Sequence, residues 1–209
     1  MAEESGTITR IGRWVLNEAV GQARRWVDAH PDIDAFTIAV NLSARELTSP
    51  GLADHVARVL ERHGWPADQL SLELTEGALI AERDATLRVL AALKDIGVRL
   101  AIDDFGTGFS SLSELHRFPI DTVKIDRSFV KDLTADGTGS PVTTAVLHMA
   151  HALGLLVVAE GVERPEQHLG LRALQCDQAQ GFLFARPGPP DELDRAWPAG
   201  FMTKWARSR

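Results

Sequence analysis

The sequence predicts an α/β fold of the (β/α)8 TIM-like barrel kind, with about six βα units within its 209 residues. Two observations carry that prediction. Strand-like and helix-like segments alternate from end to end, which calls for a mostly parallel sheet. The strand segments also have two unlike faces. One is bulky and apolar, suited to packing beneath helices; the other is small and turns polar toward the carboxyl end. A filled lower core and a wet upper mouth are what barrel strands show.

After a short polar start, Ile8, Ile11, Val15, Leu16, Ala19 and Val20 recur at helical spacing, and the pattern reaches about Trp26, with Pro31 ending the helix. Phe36 to Asn41 alternates as a strand. Pro50 opens a helix carrying Leu52, Val56, Val59 and Leu60, closed by Gly64. Leu70 to Leu74 is the second strand, with Leu70, Leu72 and Leu74 opposing Ser71 and Glu73, and Thr75-Glu76 capping it. Arg83 to Ile96 is a helix with Leu87, Leu90, Ala91 and Leu93 on one side, stopped by Gly97.

The third strand, with Leu100 and Ile102 opposing Ala101 and Asp103, ends in Asp103-Asp104, then a glycine-rich turn and a short helix. The fourth carries Val123 and Ile125 against Thr122, Lys124 and Asp126. Asp132 to Pro141 is a loop, Val142 to Leu153 a helix ended by Gly154, Leu155 to Ala159 a strand running into Glu160-Gly161-Val162-Glu163, and Pro165 to Leu174 a helix. A last strand is expected near Gln178 to Phe182, and Pro187, Pro189 and Pro190 precede a final helix and tail. No repeat, low-complexity stretch or linker marks a second domain, so residues 1–209 are expected to form a single domain. Six strands are two short of a closed barrel, and an open arc exposes two edges. The missing pieces are therefore expected to precede Met1 or to come from another chain.

Composition narrows the function. A net charge of -7 speaks against binding genomic nucleic acid, which calls for a basic footprint. A single cysteine, Cys176, excludes an internal disulfide and a thiolate metal cage, and suits a buried small residue. No apolar run approaches the ~20 residues of a membrane span, and the acidic amino terminus, with Glu3 and Glu4, lacks a signal pattern, so a cytoplasmic location is expected.

The chemistry lies at the strand ends. Asn41, Glu73, Asp103 and Asp104 sit at or just past successive strands, and all are hard oxygen donors, which favour Mg²⁺ or Mn²⁺ over zinc. Carboxylates gathered in one place need a cation to be tolerable. Adjacent aspartates suit a two-metal site, where ions ~3.5–4 Å apart activate water and stabilise phosphoryl oxygens. Lys124 would share the rim, orienting the attacking water or holding a phosphate, and Glu160 and Gln180 would complete the shell. Taken singly, Asp-Asp before a glycine turn is as readily turn chemistry and helix capping. Five polar strand ends together are not. A strand-end lysine is also a possible Schiff-base nucleophile, but the carboxylates would then lack a purpose. Gly106-Thr107-Gly108 lacks the P-loop and dinucleotide patterns. His148 and His151 read as a solvated helix face, His55, His63 and His116 as surface or capping residues, and Trp14 and Trp26 as packing.

These pieces, Asn41-Leu42-Ser43, Glu73-Leu74-Thr75-Glu76, Asp103-Asp104-Phe105-Gly106-Thr107-Gly108, Lys124-Ile125-Asp126, Glu160-Gly161-Val162-Glu163 and Gln180-Gly181-Phe182 followed by Pro187, resemble the EAL family of bacterial cyclic di-GMP phosphodiesterases over essentially the whole chain. The resemblance implies an EAL-type barrel, two Mg²⁺ or Mn²⁺ ions, and hydrolysis of cyclic di-GMP to linear pGpG by a cyclic-guanylate-specific phosphodiesterase. It implies that Asn41, Glu73, Asp103 and Asp104 ligate metal and that Lys124 holds the nucleophilic water. Glu160 becomes a metal-shell or acid/base residue, Gln180 positions water, and Asp126 lies near substrate. Glu76, with Gly106, Thr107 and Gly108, supports the loop after Asp104, which in the family also touches a homodimer interface.

One feature departs from the family: the Glu-Ala-Leu signature, whose glutamate ligates metal, is absent. It is expected upstream of Met1, with a phosphate-binding arginine and the two missing strands. Met1 is then an internal codon taken as a start, or a cut boundary. A chain truncated in this way is expected to hydrolyse weakly or not at all by itself, and the alternative is a catalytically impaired module that binds cyclic di-GMP or a protein partner.

Overall fold

A computed structural model of the chain describes residues 7–31, 36–80, 83–106 and 117–192. The chain divides into two units, Met1–Val123 and Lys124–Arg209. In the first, helix α1 (Thr7–Ala29) runs one turn past the expected end at Trp26. Its inner face buries Leu16, Val20, Gly21 and Ala23. Strand β1 (Ile38–Leu42) follows, then a four-residue helix α2 (Ala44–Leu47) that sequence periodicity does not reveal, because one turn has no period. Its signal is the Ser-x-x-Glu capping box: the Ser43 hydroxyl accepts from Glu46 N, and the buried Glu46 carboxylate accepts from Ser43 N at 3.0 Å. Helix α3 (Leu52–His63) buries Leu52, Val56, Val59 and Leu60, as expected.

Strand β2 (Leu70–Thr75) pairs in parallel with β1 on one side and with β3 (Arg99–Phe105) on the other. Every residue from Leu70 to Leu74 is buried, so both faces of the strand are covered, and burial extends to Glu73 near the carboxyl end expected to be wet. Thr75-Glu76 does more than cap the strand: Glu76 begins helix α4 (Glu76–Ile80). Helix α5 (Arg83–Ile96) buries Thr86, Leu90 and Leu93, whereas Ala91 faces solvent. Trp26 and Trp65 flank Phe36, with ring centroids 6.2 and 5.3 Å away, while Trp14, expected to pack, is 63% exposed. Asp121 ties the approach to the fourth strand onto the start of β3. Its N–H donates to Leu100 O at 2.9 Å, and its carboxylate accepts from Leu100 N and from Lys94 Nζ, both within 2.8 Å.

Strand β4 (Thr122–Ile125) leads into the second unit. There follow a one-turn helix α6 (Arg127–Val130), helix α7 (Pro141–Ala152), strand β5 (Leu156–Ala159), helix α8 (Pro165–Ala173) and a two-residue strand β6 (Gln178–Ala179) parallel to β5. Helix α7 is capped by the Ser140 hydroxyl, which accepts from Thr143 N, and Thr143 donates its own hydroxyl to Phe129 O at 2.7 Å. His148 and His151 face solvent as expected, His151 meeting Asp177 at 2.9 Å. Cys176 is buried, with its thiol directed at Gln178 O. The final helix and tail beyond residue 192, like the helix expected after the glycine turn, lie outside the described residues.

Two outcomes follow from this packing. Leu72 is fully buried in β2, so Leu72→Ala is expected to lower the unfolding free energy by about 2–5 kcal/mol, measured by urea denaturation with an unchanged m value. Burial pushes the Cys176 thiol up from 9.0 to about 12, outweighing the hydrogen bond to Gln178. The unfolded thiol ionises first, so this contribution to stability is whole below about pH 9 and is lost as pH rises toward 12. Denaturation between pH 8 and pH 11 is expected to show a decline that is shallower in Cys176→Ala; equal slopes would refute it.

Candidate functional site

The expected site residues fall into two groups, one in each unit. In the first, register sets the geometry. Asn41 stands opposite Glu73, and Glu73 opposite Ala101. On parallel strands ~4.8 Å apart, residues at one level share a face. Asp103 lies on that same face one step nearer the strand ends, opposite Thr75. The other face holds Val40, Leu42, Leu72, Leu74, Leu100 and Ile102, all buried. Glu73 is buried as well, and a carboxylate held this far from water requires a donor or a cation beside it.

Asp104 belongs to β3, and in a regular strand its side chain would take the face opposite Asp103. Its φ of 54° is left-handed, a conformation that aspartate adopts more readily than most residues. The alternation breaks there, and a carboxylate oxygen of Asp103 lies within 4.8 Å of one of Asp104. Gly106 follows with φ 94°; Thr107 and Gly108 lie outside the described residues. Glu76, buried at the start of α4, comes one residue after Thr75, the register partner of Asp103. Asn41, Glu73, Asp103 and Asp104 offer oxygen donors only, and this acidic group fits a hard divalent cation.

In the second unit, Lys124 on β4 is buried and its Nζ meets a Glu160 carboxylate oxygen at 2.7 Å. Glu160 N also donates to Ile125 O at 3.0 Å, so main chain and side chain hold the two strand ends together. Asp126 accepts from Ser128 N at 2.9 Å and caps α6; burial pushes its pKa up, but the bonds from Ser128 and Arg127 and the Arg127 charge hold it below the usual carboxylate range. Gln180 N donates to Ala159 O at 2.8 Å, and Gln180 O accepts from Val162 N at 3.0 Å, which sets Gln180 beside Glu160 with its side chain exposed.

The glycines of these motifs have a steric cause. A Cβ on Gly181 would lie 2.2 Å from Val162 O, and one on Gly161 would lie 2.3 Å from Arg127 Cβ, at a backbone φ of 65°. Sequence reasoning missed Gln167, which is buried in α8 and bonded to the backbone of Glu163, Arg164, Val130 and Lys131; its signal was a glutamine two residues into a helix opened by Pro165. Gly161→Ala is expected to cost about 1–3 kcal/mol in urea denaturation, from strain and overpacking against Arg127; wild-type stability would contradict that close approach.

Known proteins resemble this chain along most of its length. The model of the EAL domain family matches residues 1–187. The bifunctional diguanylate cyclase/cyclic di-GMP phosphodiesterase MucR of Pseudomonas aeruginosa is 43% identical over 92% of this chain and 28% of its own length. The cyclic di-GMP phosphodiesterase PdeR of Escherichia coli is 38% identical over 93% of this chain and 29% of its own length. The chain thus spans little more than a quarter of these relatives. Among solved structures, the PaMucR phosphodiesterase in complex with c-di-GMP superposes with TM-score 0.83 at 44% identity, covering 92% of this chain and 77% of that one. The EAL domain of Mycobacterium smegmatis DcpA gives TM-score 0.84 at 37% identity, covering 92% and 86%. With six parallel strands among the described residues, against eight in a closed barrel, the α/β fold is an incomplete TIM-like barrel, and the chain belongs to the EAL domain family.

Proposed function

We propose that the chain is the catalytic part of a metal-dependent phosphodiesterase that hydrolyses cyclic di-GMP to linear pGpG in bacterial second-messenger signalling. The observation that carries this is the oxygen-donor row, Asn41, Glu73 and Asp103, on one sheet face at the strand ends, with Asp104 turned back toward Asp103. Relatives named as cyclic di-GMP phosphodiesterases support the substrate. In this reading Asn41, Glu73, Asp103 and Asp104 hold two Mg²⁺ or Mn²⁺ ions, which when bound supply Lewis-acid stabilisation of phosphoryl oxygen and a more acidic water. The Lys124 ammonium holds the attacking water, and Glu160, paired with Lys124, fixes its direction and serves as a metal-shell or acid/base residue. Gln180 positions water. Asp126 borders the substrate while capping α6. Glu76 with Gly106, Thr107 and Gly108 supports the loop after Asp104, which would meet a second copy in a homodimer. Water oxygen bonds to phosphorus, one phosphodiester P–O bond breaks, and the departing ribose oxygen takes a proton. The setting is the bacterial cytoplasm; no helix among the described residues is long and apolar enough to cross a membrane.

The second reading is a module that binds cyclic di-GMP or a protein partner without turnover. It rests on the absence of Glu-Ala-Leu from residues 1–209. The test is cleavage of cyclic di-GMP by the chain within its full-length protein, with Mg²⁺ or Mn²⁺. Appearance of pGpG is expected, removed by EDTA and lowered about 100-fold or more by Asp103→Asn. Binding heat with no pGpG would favour the second reading, and neither heat nor product would end both.

A further inference from the structure

We infer that Gln167 is a positioning residue for the Lys124–Glu160 pair. The inference rests on the phosphodiesterase reading for its kinetic consequence but not for its geometry. Two loops leave the strand ends that carry the pair. One runs from β4 through Asp126 and α6 to Lys131; the other runs from β5 through Glu160 and Gly161 to Arg164. Gln167 is buried where they meet and is bonded on both sides of its amide. Its Oε1 accepts from Glu163 N and Arg164 N, both at 2.8 Å. Its Nε2 donates to Val130 O and Lys131 O, both at 3.3 Å. Two acceptor and two donor bonds exhaust what a carboxamide makes.

Helix capping alone does not account for this. The third position of a helix serves as a cap through its acceptor oxygen, and glutamate does that as well as glutamine. Here the other half of the amide faces two carbonyls, which a carboxylate would repel. Glutamine therefore does something glutamate cannot: it joins the second loop to the far end of α6. Neighbouring contacts act in the same sense. Arg164 donates to Lys131 O at 2.6 Å, and Gly161 lies against Arg127 at the near end of α6. Lys124 precedes this clamped segment and Glu160 precedes the other. With both loops held, the 2.7 Å contact between the two side chains has little freedom to open. Small misplacements of reacting groups are costly in rate, about 100-fold for 1 Å.

The experiment compares wild type with Gln167→Ala and Gln167→Glu in the full chain, each checked for folding by circular dichroism. Gln167→Glu keeps the side-chain shape and the bonds to Glu163 and Arg164, so it isolates the Val130–Lys131 half. The first readout is the acetylation rate of each lysine by peptide mass spectrometry, with Lys94 as the internal reference for general loosening. Lys124 is expected to react several-fold faster relative to Lys94 in both variants. The second readout is steady-state hydrolysis, where kcat is expected to fall about ten-fold with KM changed less than about two-fold. Lys124 and Lys94 rising together, or neither rising in a folded variant, would overturn the inference; so would unchanged kcat beside active wild type. Wild type that forms no pGpG rejects the phosphodiesterase reading, and the lysine readout then decides the role of Gln167 alone.

Discussion

Parallel register is the constraint on which the first group of site residues depends. Pairing Ile38 with Leu70 sets Asn41 opposite Glu73; pairing Ser71 with Arg99 sets Glu73 opposite Ala101 and carries Asp103 to the same face. A slip of one residue in β2 would turn Glu73 toward the helices and a leucine toward the rim. The leucines oppose it: Leu70, Leu72 and Leu74 are wholly buried, and a slip would take all three out of the packing that encloses them and set Ser71 and Glu73 in their place. The apolar face therefore positions the polar one.

Each strand end then needs a loop that does not drift, and the second unit shows how that is met with backbone rather than with bulk. Gly161 and Gly181 have no Cβ, so Val162 can approach Gly181 closely enough for Gln180 and Leu183 to bond to it. Asp121 does comparable work at the amino end of β3 in the first unit, using its own N–H and its carboxylate. In βα folds chemistry gathers at the carboxyl ends and stability at the amino ends. The division holds here: Lys94 and Asp121 pair at an amino end, Lys124 and Glu160 at carboxyl ends.

Much of this was legible in the sequence, for reasons that differ by element. Long helices and buried strands carry a period, and their order and rough bounds follow from it. The candidate site residues stand out by chemistry instead: acids and an amide at strand ends are too costly there to be filler. One-turn helices carry no period, so α2, α4 and α6 could be recognised only by caps, the Ser43–Glu46 box and Asp126 among them. Burial of Ser71 and Glu73 and the inward turn of Thr86 depend on neighbours distant in sequence, which strand alternation does not report. Gln167 was invisible for the same reason, since two of its four partners lie 36 and 37 residues away.

The contact between Lys124 and Glu160 bears on the two chemistries weighed for this lysine, Schiff-base formation and the handling of water or phosphate. A Schiff base forms when a neutral amine offers its lone pair to a carbonyl carbon. Lys124 instead directs its amine at a Glu160 carboxylate oxygen 2.7 Å away, which engages it as a hydrogen-bond donor. Such a group offers hydrogens rather than a lone pair. It suits a water oxygen or a phosphoryl oxygen, both of which accept. Glu73, Asp103 and Asp104, in the first unit, bring acceptor oxygens, which suit a hydrogen-bond donor or a hard cation. A lysine engaged by a carboxylate is a poor amine nucleophile, which agrees with the proposed phosphodiester hydrolysis rather than with carbonyl condensation.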